Sequence, residues 1–355
     1  MTILHYTGYD HDRGGIASVI RNLAATDRFH CVLGVNAGCV QQGRPRLETL
    51  ELPPIEGERI GLLNLWRARA VALAVQAWLK ADDTRVFHGH SRAGLLVGLW
   101  LHWFGERRVV VSVHCYGRQR WFYRWAARRL AGRLYWLTPA MKRHYGCADQ
   151  TWAECMPDGL TAPLPVAMRR GPVEGQDLRL GGAGALVRWK RWDLVLEALA
   201  RLPDGKIRFT HIGEKLATPE SHACEQELRV LTEKLGLADR VQWAGWQAGS
   251  GGLLQEVDAI VVPSDGEPFS MIALEAMFAG VPVIATRGGG PEDFIVDGEN
   301  GWLVPAGDAA ALAQRFRQCL DPAAWRSLQL RPEHLRKFSL SETLAARWAE
   351  IYAAL

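Results

Sequence analysis

Between Ala259 and Phe278 the chain passes from an apolar tetrapeptide, Ala-Ile-Val-Val, into the loop Pro263-Ser264-Asp265-Gly266-Glu267-Pro268-Phe269. Ser270 and the eight residues Met271 to Phe278 follow. The tetrapeptide reads as a buried strand that Pro263 breaks, and Ser270 stands where it would cap the next helix. That helix is apolar on nearly every face, so it has to be buried. It nevertheless carries Glu275, and an ionised carboxylate there is costly unless paired or hydrogen-bonded. Glu267 in the loop and Glu275 two turns into the helix are placed to meet different parts of one ligand. The helix N-terminus beside Phe269 and Ser270 offers N–H groups to an anion. The plain alternative is a core helix whose Glu275 is held by a neighbouring arginine.

At 355 residues the chain is too long for one ordinary core and comfortable for two domains. With 48% apolar and 23% charged residues it reads as soluble and globular. Met1-Thr2-Ile3-Leu4 leads straight into a first strand with no signal peptide in view, and apolar runs such as Ala93 to Leu101 fall short of a membrane span. Seven cysteines without a CxxC pair point to reduced thiols, so a cytoplasmic setting is expected. Net charge is +4 but unevenly divided. Residues 1–159 hold 21 Lys and Arg against 13 Asp and Glu, whereas residues 160–355 hold 21 against 25. A basic first half suggests an anionic partner, such as a membrane surface, a lipid pyrophosphate or nucleic acid.

In chain order, Ile3 to Tyr6 reads as a strand, then a Gly14-Gly15 pair opens an amphipathic run from Ile16 to Leu23. Strand, glycine pair and helix is the arrangement that lets a backbone approach a phosphate or sugar. Strands around Cys31–Val35 and Leu47–Leu52, helices around Leu62–Leu79 and Ala93–Trp103, and strands at Val86–His90 and Val109–Val113 continue the alternation. Such alternation reads as a parallel sheet flanked by helices, with ligands bound beyond the carboxyl ends of its strands. His88, His90 and His114 all fall at such ends, where a plain loop anchor is the alternative. His88 and His90 have a spacing that suits zinc, but no third ligand of suitable placement accompanies them, so no metal is expected.

From Arg107 to Ala148 ten basic residues occur with no acidic one, interleaved with Trp121, Phe122, Tyr123, Trp125, Tyr135 and Trp136. That mixture suits a membrane interface with anionic lipids; a solvated basic face with aromatics packed inward is the alternative. No nucleic-acid recognition motif appears, and nucleic acid is not expected as a partner.

Glu267 and Glu275 with their loop resemble the Glu-x7-Glu motif of the retaining glycosyltransferases of family 4, with Ser270 where that family commonly has Gly. Met156-Pro157-Asp158-Gly159 resembles the family's Pro-Asn-Gly turn, and Gly14-Gly15 its glycine pair after the first strand. Val111-Ser112-Val113-His114 resembles its strand ending in His. Lys190 and Asp193 match its Lys-Gly-x-Asp pattern. Ala185 stands where the family has an Arg, which leaves Arg188 as the substitute. Gly213, Gly245-Trp246, and the loops Thr286 to Glu292 and Asp297 to Val304 fit its later turns.

The resemblance implies an α/β fold of the GT-B kind, two Rossmann-like domains with parallel sheets facing across a cleft. The boundaries expected are 1–160 for an acceptor-binding domain, 161–184 for a linker and the start of the second domain, and 185–338 for a nucleotide-sugar-binding domain, with 339–355 as a helix crossing back to the first. It implies transfer of a sugar, with retention of configuration, from a nucleotide-diphosphate sugar to a glycan, lipid-linked saccharide or small molecule, in bacterial polysaccharide or glycoconjugate synthesis, without cofactor or metal. His114 and Glu267 are the implied catalytic residues. Gly14, Gly15, Arg188, Lys190, Gly213, Phe269, Ser270 and Glu275 are the implied donor contacts. A GT-B sugar-nucleotide epimerase and a non-catalytic partner subunit are the competing readings. Through residues 107–148 a peripheral position on the inner face of a membrane is expected.

Overall fold

The computed structural model describes residues 1–355 except 13, 40, 42, 44, 163–168, 170, 173, 174, 204, 217, 330 and 331, together with the side chains of 332 and 342. The chain divides into two compact units, 1–162 with 337–355, and 163–336.

Among the described residues of the first unit, seven strands form one parallel sheet: β1 (Thr2–Tyr6), β2 (His30–Asn36), β3 (Glu48–Leu52), β4 (Arg85–Gly89), β5 (Val109–Val113), β6 (Leu134–Trp136) and β7 (Glu154–Cys155). Their order is β3-β2-β1-β4-β5-β6-β7. The central strands are buried on both faces, which is why Val109–Val113 reads as an unbroken apolar run with one serine. Helices cover the sheet. In Leu62–Lys80 the buried positions Asn64, Ala68, Val71, Ala72, Val75 and Leu79 recur at the spacing of one helical face.

Residues 337–355 belong to this same unit. A π-helical turn, Leu340–Leu344, runs into the helix Ala345–Ala353. Leu340, Leu344, Trp348 and Tyr352, each four apart, share a core with Ile3, Leu23, Cys31, Val86, Val110, Tyr135 and Met156. Each such large side chain taken from water contributes about 1.5–3 kcal/mol, so the chain's last turns are anchored by packing.

Among the described residues of the second unit, six strands form one parallel sheet: β8 (Leu178–Ala183), β9 (Ile207–Ile212), β10 (Val241–Trp243), β11 (Ala259–Val262), β12 (Val283–Thr286) and β13 (Trp302–Val304), in the order β10-β9-β8-β11-β12-β13. β8 lies inside the stretch 161–184 expected to hold the linker and the start of the second domain, part of which (163–168, 170, 173 and 174) lies outside the described residues. Its Gly181-Gly182 disguises it as a turn. The glycines are there for space, because a Cβ on Gly182 would sit 2.7 Å from Trp192 Cζ3. In each unit the strand order reverses beside its first strand, between β1 and β4 and between β8 and β11. Crevices beyond the strand ends at such reversals are where open parallel sheets bind ligands. No described helix is long and apolar enough to cross a membrane.

Candidate functional site

In the second unit, two loops meet at the reversal between β8 and β11. After β8 the short turn Arg188–Lys190 brings Lys190 inward, and after β11 the loop 263–270 brings Glu267. Lys190 Nζ donates to Glu267 Oε2 at 2.6 Å, with side chains 14% and 9% exposed. Ser264 Oγ donates to the same oxygen at 2.9 Å. At the end of β12, Thr286 Oγ1 donates to Ser264 O at 2.5 Å and so holds that serine in place. The backbones of the two loops are joined as well, by Asp265 N to Trp189 O at 2.9 Å. Lys190 Nζ also lies over the Trp189 ring, 4.4 Å from its centre. One cation is thus held between a carboxylate and an aromatic face, and two donors on one carboxylate oxygen keep Glu267 from moving freely.

The loop after β12 closes on this pair. Gly290 N donates to Glu267 O at 2.6 Å. A Cβ on Gly289 would come within 2.2 Å of Glu267 O, so no larger residue fits there.

Ser270 precedes the helix Met271–Phe278 with φ +81°, and its hydroxyl makes no cap. Its Oγ is buried without a hydrogen-bond partner. The cap read from sequence is therefore corrected: the left-handed backbone turns the side chain away from the first-turn N–H groups. That conformation also accounts for a Gly at this place in the resemblance, since glycine adopts it without strain. Phe269 is buried, its ring 5.8 Å from that of Phe294. One turn deeper, Glu275 is held by a serine and not by an arginine: Ser250 Oγ donates to its Oε2 at 2.5 Å. Burial pushes this carboxyl above the ordinary carboxylate value, against the opposing pull of the Ser250 hydrogen bond.

Gly213, after β9, has φ +129°, and a Cβ there would sit 2.0 Å from Gly184 O. It lets the ends of β8 and β9 close up beside Lys190. Arg188 turns to the surface and pairs with Glu227 at 2.6 Å. Its neighbour Arg191, not singled out from sequence, spans Asp193 at 3.0 Å and Asp265 at 2.9 Å. Arg191, Ser250, Ser264 and Thr286 had no role assigned from sequence, because the partners that define them are fixed by tertiary contact: Asp265 for Arg191, Glu275 for Ser250, Glu267 for Ser264 and Ser264 for Thr286.

The first unit holds Gly14, Gly15 and His114. Gly14 has φ +94° with open space where a Cβ would be, so its backbone, not crowding, demands glycine; Gly15 begins the helix Gly15–Ala24. His114, following β5, has one ring nitrogen hydrogen-bonded and the other within ion-pair distance of a carboxylate. Nδ1 lies 3.5 Å from Asp158 Oδ2 and Nε2 lies 3.0 Å from His90 Nδ1. His90 Nε2 in turn meets His5 Nδ1 at 2.9 Å. His5 is the third imidazole whose absence set zinc aside, since it stands opposite His88 in the β1–β4 register. Nitrogens of His5, His88 and His90 come within 4.8 Å of one another. His88 has both of its own occupied, by Tyr352 OH at 2.7 Å and Ser112 Oγ at 2.8 Å.

Residues 169–329, within the second unit, match the family model described as Glycosyl transferases group 1. Over 135 residues the chain is 36% identical to the lipopolysaccharide core biosynthesis glycosyltransferase LpsE of Rhizobium meliloti, a match covering 38% of this chain and 37% of that protein. It is 31% identical over 185 residues to the D-inositol 3-phosphate glycosyltransferase of Corynebacterium urealyticum, covering 50% of this chain and 43% of that protein. The chain thus spans less than half the length of these curated relatives. Among solved structures, Anabaena Alr3699/HepE in complex with UDP aligns over 100% of both chains, with a TM-score of 0.72 at 18% identity. The apo form of the lipopolysaccharide outer core galactosyltransferase WaaB does so with a TM-score of 0.68 at 18% identity. These likenesses show the fold: α/β, with two Rossmann-like domains built on parallel sheets, as in GT-B proteins.

Proposed function

We propose that this chain is a retaining glycosyltransferase of family 4, which moves a sugar from a nucleotide-diphosphate sugar to an acceptor in bacterial lipopolysaccharide or polysaccharide synthesis. The observation that carries the reading is the meeting of Lys190 and Glu267 at the strand-order reversal of the matched domain, one helical segment from the partly buried Glu275. Solved structures of similar fold hold UDP and UDP-glucose, which supports a nucleotide-sugar donor here.

The roles follow from the chemistry of each group. Departure of a nucleoside diphosphate builds negative charge, and fixed donors aimed at it lower the barrier. Lys190 supplies a cation to that diphosphate. The first-turn N–H groups after Phe269 and Ser270, and the backbone at Gly14-Gly15, supply dipoles. Arg188 joins them on releasing Glu227. Glu275 accepts from the ribose hydroxyls, Gly213 leaves room for the donor at the ends of β8 and β9, and Glu267 orients the sugar. His114 is kept as a candidate catalytic residue, as the resemblance implies.

A panel of UDP-, GDP- and ADP-sugars, with nucleotide release followed and the anomeric configuration of the product read by NMR, tests this. Release of a nucleoside diphosphate with a retained anomer is expected. Inversion removes the retaining assignment, a sugar nucleotide epimerised without transfer marks an epimerase, and no turnover with any donor marks a non-catalytic partner subunit.

The acceptor reading rests on the surface of the first unit. Helix Arg120–Arg129 buries Tyr123, Ala126 and Ala127 and leaves Arg120, Arg124, Arg128 and Arg129 exposed, with Trp121 68% exposed. The rings of Trp121, Phe122, Trp125, Trp103, Trp100 and Trp66 follow one another at centre distances of 5.0–6.5 Å. Trp66 is itself 66% exposed. An aromatic ridge among arginines suits the headgroup layer of an anionic bilayer. It supports a peripheral position on the inner face of a membrane and a lipid-linked acceptor.

A further inference from the structure

The four histidines at the strand ends of the first unit form more than a packed cluster. Three of them, drawn from β1, the end of β4 and the end of β5, make a single file that ends on a carboxylate: His5, His90, His114, Asp158. His88 stands beside the file, its ring centre 3.9 Å from that of His90, and is held separately by Tyr352 and Ser112.

A neutral imidazole has one N–H and one bare nitrogen, and a carboxylate accepts only. Asp158 Oδ2 stands 3.5 Å from His114 Nδ1, an ion-pair separation longer than a hydrogen bond, and its negative charge favours the hydrogen of His114 on that nitrogen. That leaves His114 Nε2 bare, to accept from His90 Nδ1–H. His90 Nε2 is then bare in turn and accepts from His5 Nδ1–H. The file ends at His5 Nε2, a lone pair with no partner in a side chain that is 0% exposed. His5, His90 and Asp158 line a small cavity of about 20 Å³, room for about one water molecule.

We propose that Asp158 is a positioning residue that acts through His114, and that it locks His114, His90 and His5 together in the Nδ1–H tautomer. Burial supports this by keeping His5 and His90 neutral. The lock has a defined reverse. When one proton enters at His5 Nε2, the Nδ1 proton of His5 passes to His90 Nε2 and that of His90 passes to His114 Nε2. Three N–H bonds form, two break, and the added charge rests on His114 against Asp158. The orientation and charge of His114 are thus set from within its own unit. An Asn in place of Asp158 turns an amide N–H toward His114 Nδ1 and favours the opposite tautomer throughout.

The test is histidine nitrogen NMR on the full chain labelled with ¹⁵N-histidine, at neutral pH. Nδ1–H forms are expected for His5, His90 and His114, against the Nε2–H form that free histidine prefers in water. Asp158→Asn is expected to switch all three to Nε2–H, and in Asp158→Asn/His90→Gln the His5 signal is expected to stay unswitched. Nε2–H forms in the unaltered chain overturn the proposal, as does an Asp158→Asn spectrum unchanged at His90 and His5. Loss of the pattern on adding a chelator also overturns it, since a metal would then hold His5, His88 and His90. The kinetic arm rests on the transferase reading: Asp158→Asn should lower kcat with little change in KM. Switched tautomers with unchanged kcat would keep the file and remove His114 from the reaction.

Discussion

Lys190 Nζ donates to Glu267 Oε2 at 2.6 Å across 77 residues of sequence, and Ser264 Oγ shares that oxygen. The carboxylate is therefore the lysine's anion, and on the transferase reading a diphosphate competes with it for Lys190. Lys190→Ala should cost about 2 kcal/mol of stability, because a hydrogen bond to a charged group is lost and Glu267 is left buried. Lys190→Met with Glu267→Gln should recover most of that stability in urea titrations while donor affinity stays low. Recovery of both would show that Lys190 serves only the fold.

For Glu275, stability and binding should move in opposite directions. Its carboxyl is held above the ordinary carboxylate value by burial. The native state therefore keeps a proton that the unfolded chain releases, and stability falls as pH rises from about 4.5 through the raised folded value. Glu275→Gln should raise the Tm above that range and flatten its pH dependence. Donor affinity should fall by about 1.5–3 kcal/mol in calorimetry, the worth of a charged hydrogen bond. Unchanged donor affinity would separate Glu275 from the ribose.

Ser270 pays a backbone cost at φ +81° with no hydrogen bond from its hydroxyl in return. Ser270→Gly should stabilise the chain by about 1 kcal/mol, the lower end for such strain, as read by the midpoint of denaturant unfolding. A destabilised Gly variant would mean that the hydroxyl has a partner in solution.

Acid should unfold the first unit through its histidines. Burial pushes His5 down to about 3 and holds His88 and His90 well below the ordinary imidazole value, the neighbouring histidines adding to the effect. Once unfolded, each takes up a proton below about 6.5. Their contribution is therefore complete above pH 6.5 and is lost as pH falls from there toward 3. His114, Asp158, Tyr352 and Ser112 face these rings. His211 in the second unit, pushed down to about 3 by burial, acts in the same sense. Unfolding midpoints should fall steeply between pH 7 and 5, and a flat profile there would contradict the neutral buried cluster.

Liposome flotation examines the aromatic ridge. Each basic residue near an anionic surface is worth about 1 kcal/mol, and salt screens it. The chain should float with anionic vesicles at low salt and sink as ionic strength rises. Trp121→Ala with Trp66→Ala should weaken flotation without loss of fold. A chain that stays at the bottom with and without anionic lipid at low salt would make a soluble acceptor the better reading.

Local pattern carried much of the architecture. Apolar tetrapeptides and pentapeptides bounded by glycine and proline marked the central strands, and the all-apolar helix around Glu275 announced a buried element, because burial and period leave their trace within a few residues. The loop bearing Glu267 and the turn bearing Lys190 were legible for the same reason, each being a short contiguous motif. What required the tertiary structure were relations between distant segments. Nothing in sequence tied Ser250 to Glu275, turned Arg188 outward to Glu227, or set Arg191 between Asp193 and Asp265. β8 hid behind two glycines whose reason is space, taken by Ile260 and Val257 at Gly181 and by Trp192 and Phe209 at Gly182. His5 read as an ordinary strand residue until parallel pairing of β1 with β4 set it opposite His88 and within 2.9 Å of His90, 85 residues away. A sequence lists which groups a chain owns and how they alternate; which lone pair faces which hydrogen is decided by strand order and register, and those are settled only when the sheet closes.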